Sequence, residues 1–177
     1  MLASEMSVIY DAVTLHIFSE FGHLDVLTST FGHRPEPRWT DEVHSEVLKG
    51  KNHLESVASS SRILDLDWLG LPRTPVDLPL VFRIQAALAT SGRSQDKNLG
   101  EAESMVVAIE VGGAFVTDDK AAFDLARRRK DLGSERVLDS CAILQLAEQR
   151  FIMNAHDVKQ FHLEIATKRS MRCRCQY

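Results

Sequence analysis

Four separated segments of the chain carry carboxylates where a strand should end or a helix should begin. Asp11 directly follows the β-prone run Ser7-Val8-Ile9-Tyr10. Glu46 lies beside Val43 and Val47, which share one face of a helix. Glu101 stands in Asn98-Leu99-Gly100-Glu101-Ala102-Glu103, at the head of a helical repeat. Asp118 and Asp119 close the apolar run Ala114-Phe115-Val116-Thr117. Aspartate before a helix serves as its N-cap, and a carboxylate in the first turn suits the helix dipole. A metal ligand at the same position is compatible with that capping role. In an open parallel sheet, ligands bind outside the carboxyl ends of the strands, so these acids can converge. Clustered carboxylates repel unless a hard cation neutralises them or one keeps its proton. Such an all-oxygen set suits Mg²⁺ or Mn²⁺, and the chemistry expected is phosphodiester hydrolysis by an activated water.

The elements that must position these acids alternate between strand and helix. Asp11 leads into a helix ending near Gly22, and Leu24–Leu27 is either its end or a short extra helix. Thr40 caps a helix with Asp41 and Glu42 in its first turn. Ser61–Leu69 alternates apolar residues with Asp65 and Asp67, a period-two signal that predicts a strand with both aspartates facing away from the core. Leu71–Pro79 is a proline-rich connector, Val81–Ala89 is helical in composition, and Thr90–Lys97 is a polar loop. Ala102, Met105, Val106 and Ile109 then mark one buried helix face, ended by Gly112-Gly113. Glu101 and Glu103 flank that stripe from opposite sides; Glu101 is assigned to the shared site and Glu103, with Glu110, to solvent. Ala121–Lys130 is a helix with a basic end, Arg136–Leu138 a last strand, and Asp139-Ser140 caps a further helix. A final helix runs from Asn154 to about Lys168. Short strands separated by helices predict a parallel sheet covered on both sides. Neither a Gly-x-Gly-x-x-Gly nor a P-loop motif is present.

The 177 residues suit one domain, placed at 1–167, followed by a basic tail over 168–177 that is expected to be mobile. A formal net charge of -4 gives no global attraction for nucleic acid, so phosphate contacts must come from a local patch. Arg127–Lys130, or Arg34 and Arg38, are the candidates. No apolar run reaches the length of a membrane span, and the N-terminus lacks a secretory layout, which makes the cytoplasm the expected location. Cys141 is expected to be a small core residue, and Cys173 and Cys175 to lie reduced in the tail. No cysteine or histidine spacing suggests a zinc site.

Taken in order, Val8-Ile9-Tyr10-Asp11-Ala12, Thr40-Asp41-Glu42-Val43-His44-Ser45-Glu46-Val47, Leu99-Gly100-Glu101-Ala102-Glu103 and Val116-Thr117-Asp118-Asp119 resemble the acidic motifs of PIN-domain proteins. The nearest likeness is to the VapC-like toxin branch, and it spans roughly Val8 to Leu163. The resemblance implies a three-layer α/β/α fold and a Mg²⁺- or Mn²⁺-dependent endoribonuclease. It assigns Asp11, Glu46 and Glu101 to the first three acidic positions and the fourth to Asp118 or Asp119. It gives Thr117 a hydroxyl role beside the metal or phosphate. An RNA substrate, a small antitoxin protein and a homodimer are the partners it implies. The chain is longer than the compact toxins, at Phe21–Arg38 and at the tail. Two other functions compete: a PIN-like module that binds RNA or protein without cutting, and a phosphohydrolase acting on small esters. The missing Asp-x-Asp after the first strand weighs against a phospho-aspartyl route.

Overall fold

The computed structural model describes residues 5–53, 56–89 and 98–169. The expected loop over 90–97 lies outside these residues, as do Cys173 and Cys175. Three short strands, β1 (Val8–Tyr10), β2 (Ala114–Val116) and β3 (Val137–Leu138), form a parallel sheet in the order β1-β2-β3. Ile9 lies opposite Phe115, and Phe115 opposite Val137. Every residue of these strands is buried, which is why they read as unbroken apolar runs.

Alternate strand residues feed two cores. Ile9, Phe115 and Val137 pack with Val81, Ile84, Met105 and Val106. That side is covered by α5 (Leu78–Ala89), α6 (Leu99–Glu110) and α7 (Lys120–Arg128). Tyr10, Val116 and Leu138 pack with Leu15, Phe18, Leu27, Leu144 and Phe161. Their cover comes from α1 (Ala12–Glu20), α2 (Leu24–Phe31), α8 (Ser140–Gln149) and α9 (Ala155–Arg169). The Phe161 ring of α9 sits 5.2 Å from Phe18, 5.5 Å from Phe21 and 4.5 Å from the His23 ring. Helices α3 (Asp41–Gly50) and α4 (Val57–Leu64) complete this layer, with Val43, Val47 and Ile63 in its core. The protein is therefore α/β, with a small parallel sheet between two helical layers. Gly112 ends α6 at φ +62°, a left-handed conformation that a side chain would strain.

The expected strand over Ser61–Leu69 is absent. Its first half belongs to α4 and its second to a 3-10 turn over Asp67–Leu69. Small serines let α4 lie close against α1. The Ser19 hydroxyl donates to the Ser59 carbonyl at 2.9 Å, and His16 Nδ1 lies 2.9 Å from Ser59 Oγ. Arg62 donates to the Ser19 carbonyl at 2.6 Å. Asp65 becomes the C-cap of α4. Glu110 also departs from expectation: instead of facing solvent it accepts the Val76 and Asp77 N–H groups at 2.7 and 2.9 Å, and Arg73 lies 3.5 Å away. It thereby ties the connector to α6. Cys141 is only partly buried, is not a free thiol, and has its Sγ 3.9 Å from His162 Nδ1. Helix α9 reaches Arg169, two residues past the expected domain end. No helix among the described residues is long and apolar enough to cross a membrane.

Candidate acidic site at the strand ends

The carboxyl end of each strand leads to an aspartate that caps the next helix. Asp11 caps α1 by accepting the Thr14 N–H at 2.7 Å. Asp119 caps α7 through the Ala122 N–H, and Asp139 caps α8 through the Ala142 N–H, each at 2.9 Å. Asp118 turns instead toward its neighbours. It accepts the Thr14 hydroxyl at 3.0 Å, the Ser140 N–H at 3.0 Å and the Ser140 hydroxyl. Thr14 thus holds two carboxylates, Asp11 by its backbone and Asp118 by its side chain. Thr117 donates its hydroxyl to Asp11 Oδ2 at 2.5 Å and accepts the Asp119 N–H at 3.1 Å.

Asp11 is 1% exposed. Burial, opposed by its Thr117 and Thr14 hydrogen bonds, raises its carboxyl from 3.8 to about 8, and the charges of Asp118 and Glu101 push the same way. Glu46 rises from 4.5 to about 7, first by burial and then through Glu42 and Asp11, with Lys49 opposing. Burial also raises Asp118, against the pull of Ser140. These shifts describe a set of acids that feel one another: Asp11 with Asp118 and Glu101, and Glu46 with Asp11. Glu46 reaches the set by lying over Gly100, where an added Cβ would come 2.8 Å from its Oε1. A side chain at position 100 would have to push that carboxylate aside.

The structure therefore brings Asp11, Glu46, Glu101 and Asp118 into one electrostatic neighbourhood, with Thr117 against Asp11. Asp119 caps its own helix, and the charge of Asp118 acts on Asp11. The donor set is all oxygen and the charges raising Asp11 are negative. Among the described residues, no three Asp, Glu, His or Cys side chains stand as a ready-made metal cage. Asp11 and Asp118 have their oxygens turned onto protein N–H and O–H groups.

Three expectations about the surroundings change. Glu103 is not a solvent group; it accepts the Glu42 N–H of α3 at 3.1 Å and is hydrogen bonded by the Thr40 side chain. Arg34 and Arg38 are 3% and 7% exposed, so neither is presented to an RNA phosphate. Arg38 donates to the carbonyls of Trp68 and Arg34 at 2.7 and 2.6 Å, and its guanidinium stacks 4.9 Å from the Trp68 ring. Arg127, Arg128 and Lys130 are exposed, but they lie at the far end of α7 from Asp119. At 1.5 Å rise per residue, that is about 13 Å along the helix. Reading the sequence does not place Thr14 at the site, and takes Asp139-Ser140 only as a helix cap. Asp139 carried a usable signal, since it follows β3 as Asp11 follows β1. Thr14 and Ser140 carried none, because hydroxyls in a first helical turn are ordinary. No protein-family model, curated protein or solved structure matches the chain.

Proposed function

We propose that this chain is a Mg²⁺- or Mn²⁺-dependent endoribonuclease of the PIN type, acting in the cytoplasm. One observation carries the reading: Asp11, buried at the end of the first strand, is surrounded by the charges of Asp118, Glu101 and Glu46. Without an ion Asp11 keeps its proton at neutral pH, and a divalent cation would take that proton's place among the acids. Asp11, Glu46 and Glu101 would hold the ion. A bound divalent ion supplies charge neutralisation at the phosphate and a more acidic water. Thr14 and Thr117 fix the two oxygens of Asp11 in place. Asp118, anchored by Ser140, holds the Thr14 hydroxyl and completes the negative wall. The resemblance to the toxin branch supports a small antitoxin as partner and a homodimer as assembly. A non-cutting PIN-like binding module is the second reading, favoured by the way Asp11 and Asp118 are saturated with protein donors.

The test is cleavage of a mixed RNA pool with Mn²⁺ by the parent chain and by Asp11→Asn, with urea unfolding as the fold control. The expected result is metal-dependent cleavage by the parent and none by the variant. Equal cleavage by both chains refutes the site. Retained RNA binding with no cleavage by either chain selects the binding module.

A further inference from the structure

Glu103 adds to the negative charge around Glu46, yet it is half-buried and committed to another helix. The first N–H groups of any helix need partners from outside its own ladder. At α3, the Val43 N–H donates to the Thr40 hydroxyl at 3.4 Å. The Glu42 N–H donates to Glu103 Oε2 at 3.1 Å, so α6 supplies an acceptor that α3 itself lacks. The Thr40 side chain is hydrogen bonded to the same carboxylate. In an ordinary capping box, an acid three residues after the cap does this work, but here that position is Val43. Of the acids in the first turn of α3, Asp41 accepts the Thr74 hydroxyl and Glu42 pairs with Lys49.

A second contact lies one turn away on both helices. Glu42 and Glu46 are four apart on α3; Gly100 and Glu103 are three apart on α6. Residues so spaced share a helix face. Glu42 meets Glu103, and the Glu46 carboxylate lies over Gly100. These two contacts, a turn apart, add to the burial of Val43 and Val47 in holding the rotation of α3 and its register along α6. That rotation decides whether Glu46 lies beside Asp11 or swings toward solvent.

We infer that Glu103 is a positioning residue: its carboxylate clamps the first turn of α3 so that Glu46 is delivered over Gly100 into the acid set. In Gly-Glu-Ala-Glu the two glutamates then have separate duties, Glu101 toward Asp11 and Glu103 toward the helix that carries Glu46. The inference rests on the reading of that set as a divalent-cation site.

The experiment compares the full chain with Glu103→Gln, which keeps a carbonyl acceptor, and Glu103→Ala, which removes it. Amide hydrogen exchange at Glu42 and Val43 is read in chelator, and Mn²⁺ affinity by electron paramagnetic resonance. Glu103→Ala should speed Glu42 exchange and weaken Mn²⁺ binding about tenfold, as loss of an outer-sphere partner does elsewhere. Glu103→Gln should stay within about threefold of the parent on both, a rescue that mere loss of charge would not give. Unchanged Mn²⁺ affinity in Glu103→Ala overturns the inference. So does equal weakening in both variants, which would make Glu103 a direct ligand. If Glu103→Ala does not fold, Glu103→Asp, which draws the carboxylate back by one methylene from the Glu42 N–H, replaces it under the same criteria. A parent chain that binds no Mn²⁺ would refute the cation site itself. The exchange arm needs no ion and then decides the clamp alone, with unaltered Glu42 exchange refuting it.

Discussion

Replacing Asp11 with asparagine should make the ion-free protein more stable at neutral pH. In the folded chain this carboxyl is raised from 3.8 to about 8, chiefly by burial. The unfolded chain ionises it freely, so folding at pH 7 must take up a proton across roughly three pH units. At about 1.4 kcal/mol per unit, that costs on the order of 4 kcal/mol. Because the folded value lies above the unfolded one, Asp11 supports the fold in full below about pH 4 and withdraws that support as pH climbs toward 8. Asparagine has no such proton to bind. It still caps α1, since its amide oxygen can accept the Thr14 N–H. The Thr117 hydroxyl bond must reverse its direction, at about 1 kcal/mol. The net gain at pH 7 is about 2–3 kcal/mol, or roughly 5–10 °C in Tm for a chain of this size. Urea unfolding in chelator at pH 7 and pH 4.5 measures it. At pH 4.5 the proton cost has shrunk to about 1 kcal/mol, so the advantage should vanish. Adding Mn²⁺ at pH 7 should stabilise the parent and leave the variant unmoved. An asparagine variant that is less stable than the parent at pH 7, or a gap that ignores pH, would show the acids are not mutually buried as described.

Further outcomes follow from the same contacts. Gly100→Ala should displace the Glu46 carboxylate while sparing the helix, weakening Mn²⁺ binding about tenfold with little change in urea midpoint; full affinity would show that Glu46 does not need that seat. Ser140→Ala removes a hydroxyl that holds Asp118, and should cost about 1–3 kcal/mol by urea titration at pH 7. A cost below about 0.5 kcal/mol would mean the remaining Ser140 N–H suffices. Phe115→Ala, in the central strand and fully buried, should cost about 3–5 kcal/mol and lower Tm without altering the acids' identity; a near-neutral result would contradict the packing.

Much of the frame was readable from the sequence because its signals are local. Asp11, Thr40 and Asp139 announce helix starts by residue type, and each accepts the N–H three residues on. The stripe of Ala102, Met105 and Val106 announces α6, and all three are buried. What was misread depends on neighbours distant in sequence. The alternation over Ser61–Leu69 reads as a strand, whereas the chain there forms α4, whose Ser59 is bonded by Ser19 of α1. Glu103 lies off the apolar stripe of α6, and only the arrival of α3 gives it a partner. Arg34 and Arg38 look like surface cations, yet Arg38 stacks on Trp68 and both lie beside the buried Tyr10 ring. The hold of Ser140 on Asp118 also comes from α8, which nothing in the Val116–Asp119 segment announces.

The Ser140 anchor also makes the last two helices tributary to the acid edge. Asp118 is moored to the first turn of α8, and α8 rests on α9, whose Phe161 is wedged among Phe18, Phe21 and His23. A lesion at that aromatic wedge, remote from every carboxylate, would be transmitted as slack in the mooring. Damage to the back of the molecule would then register as a fault at its chemical front.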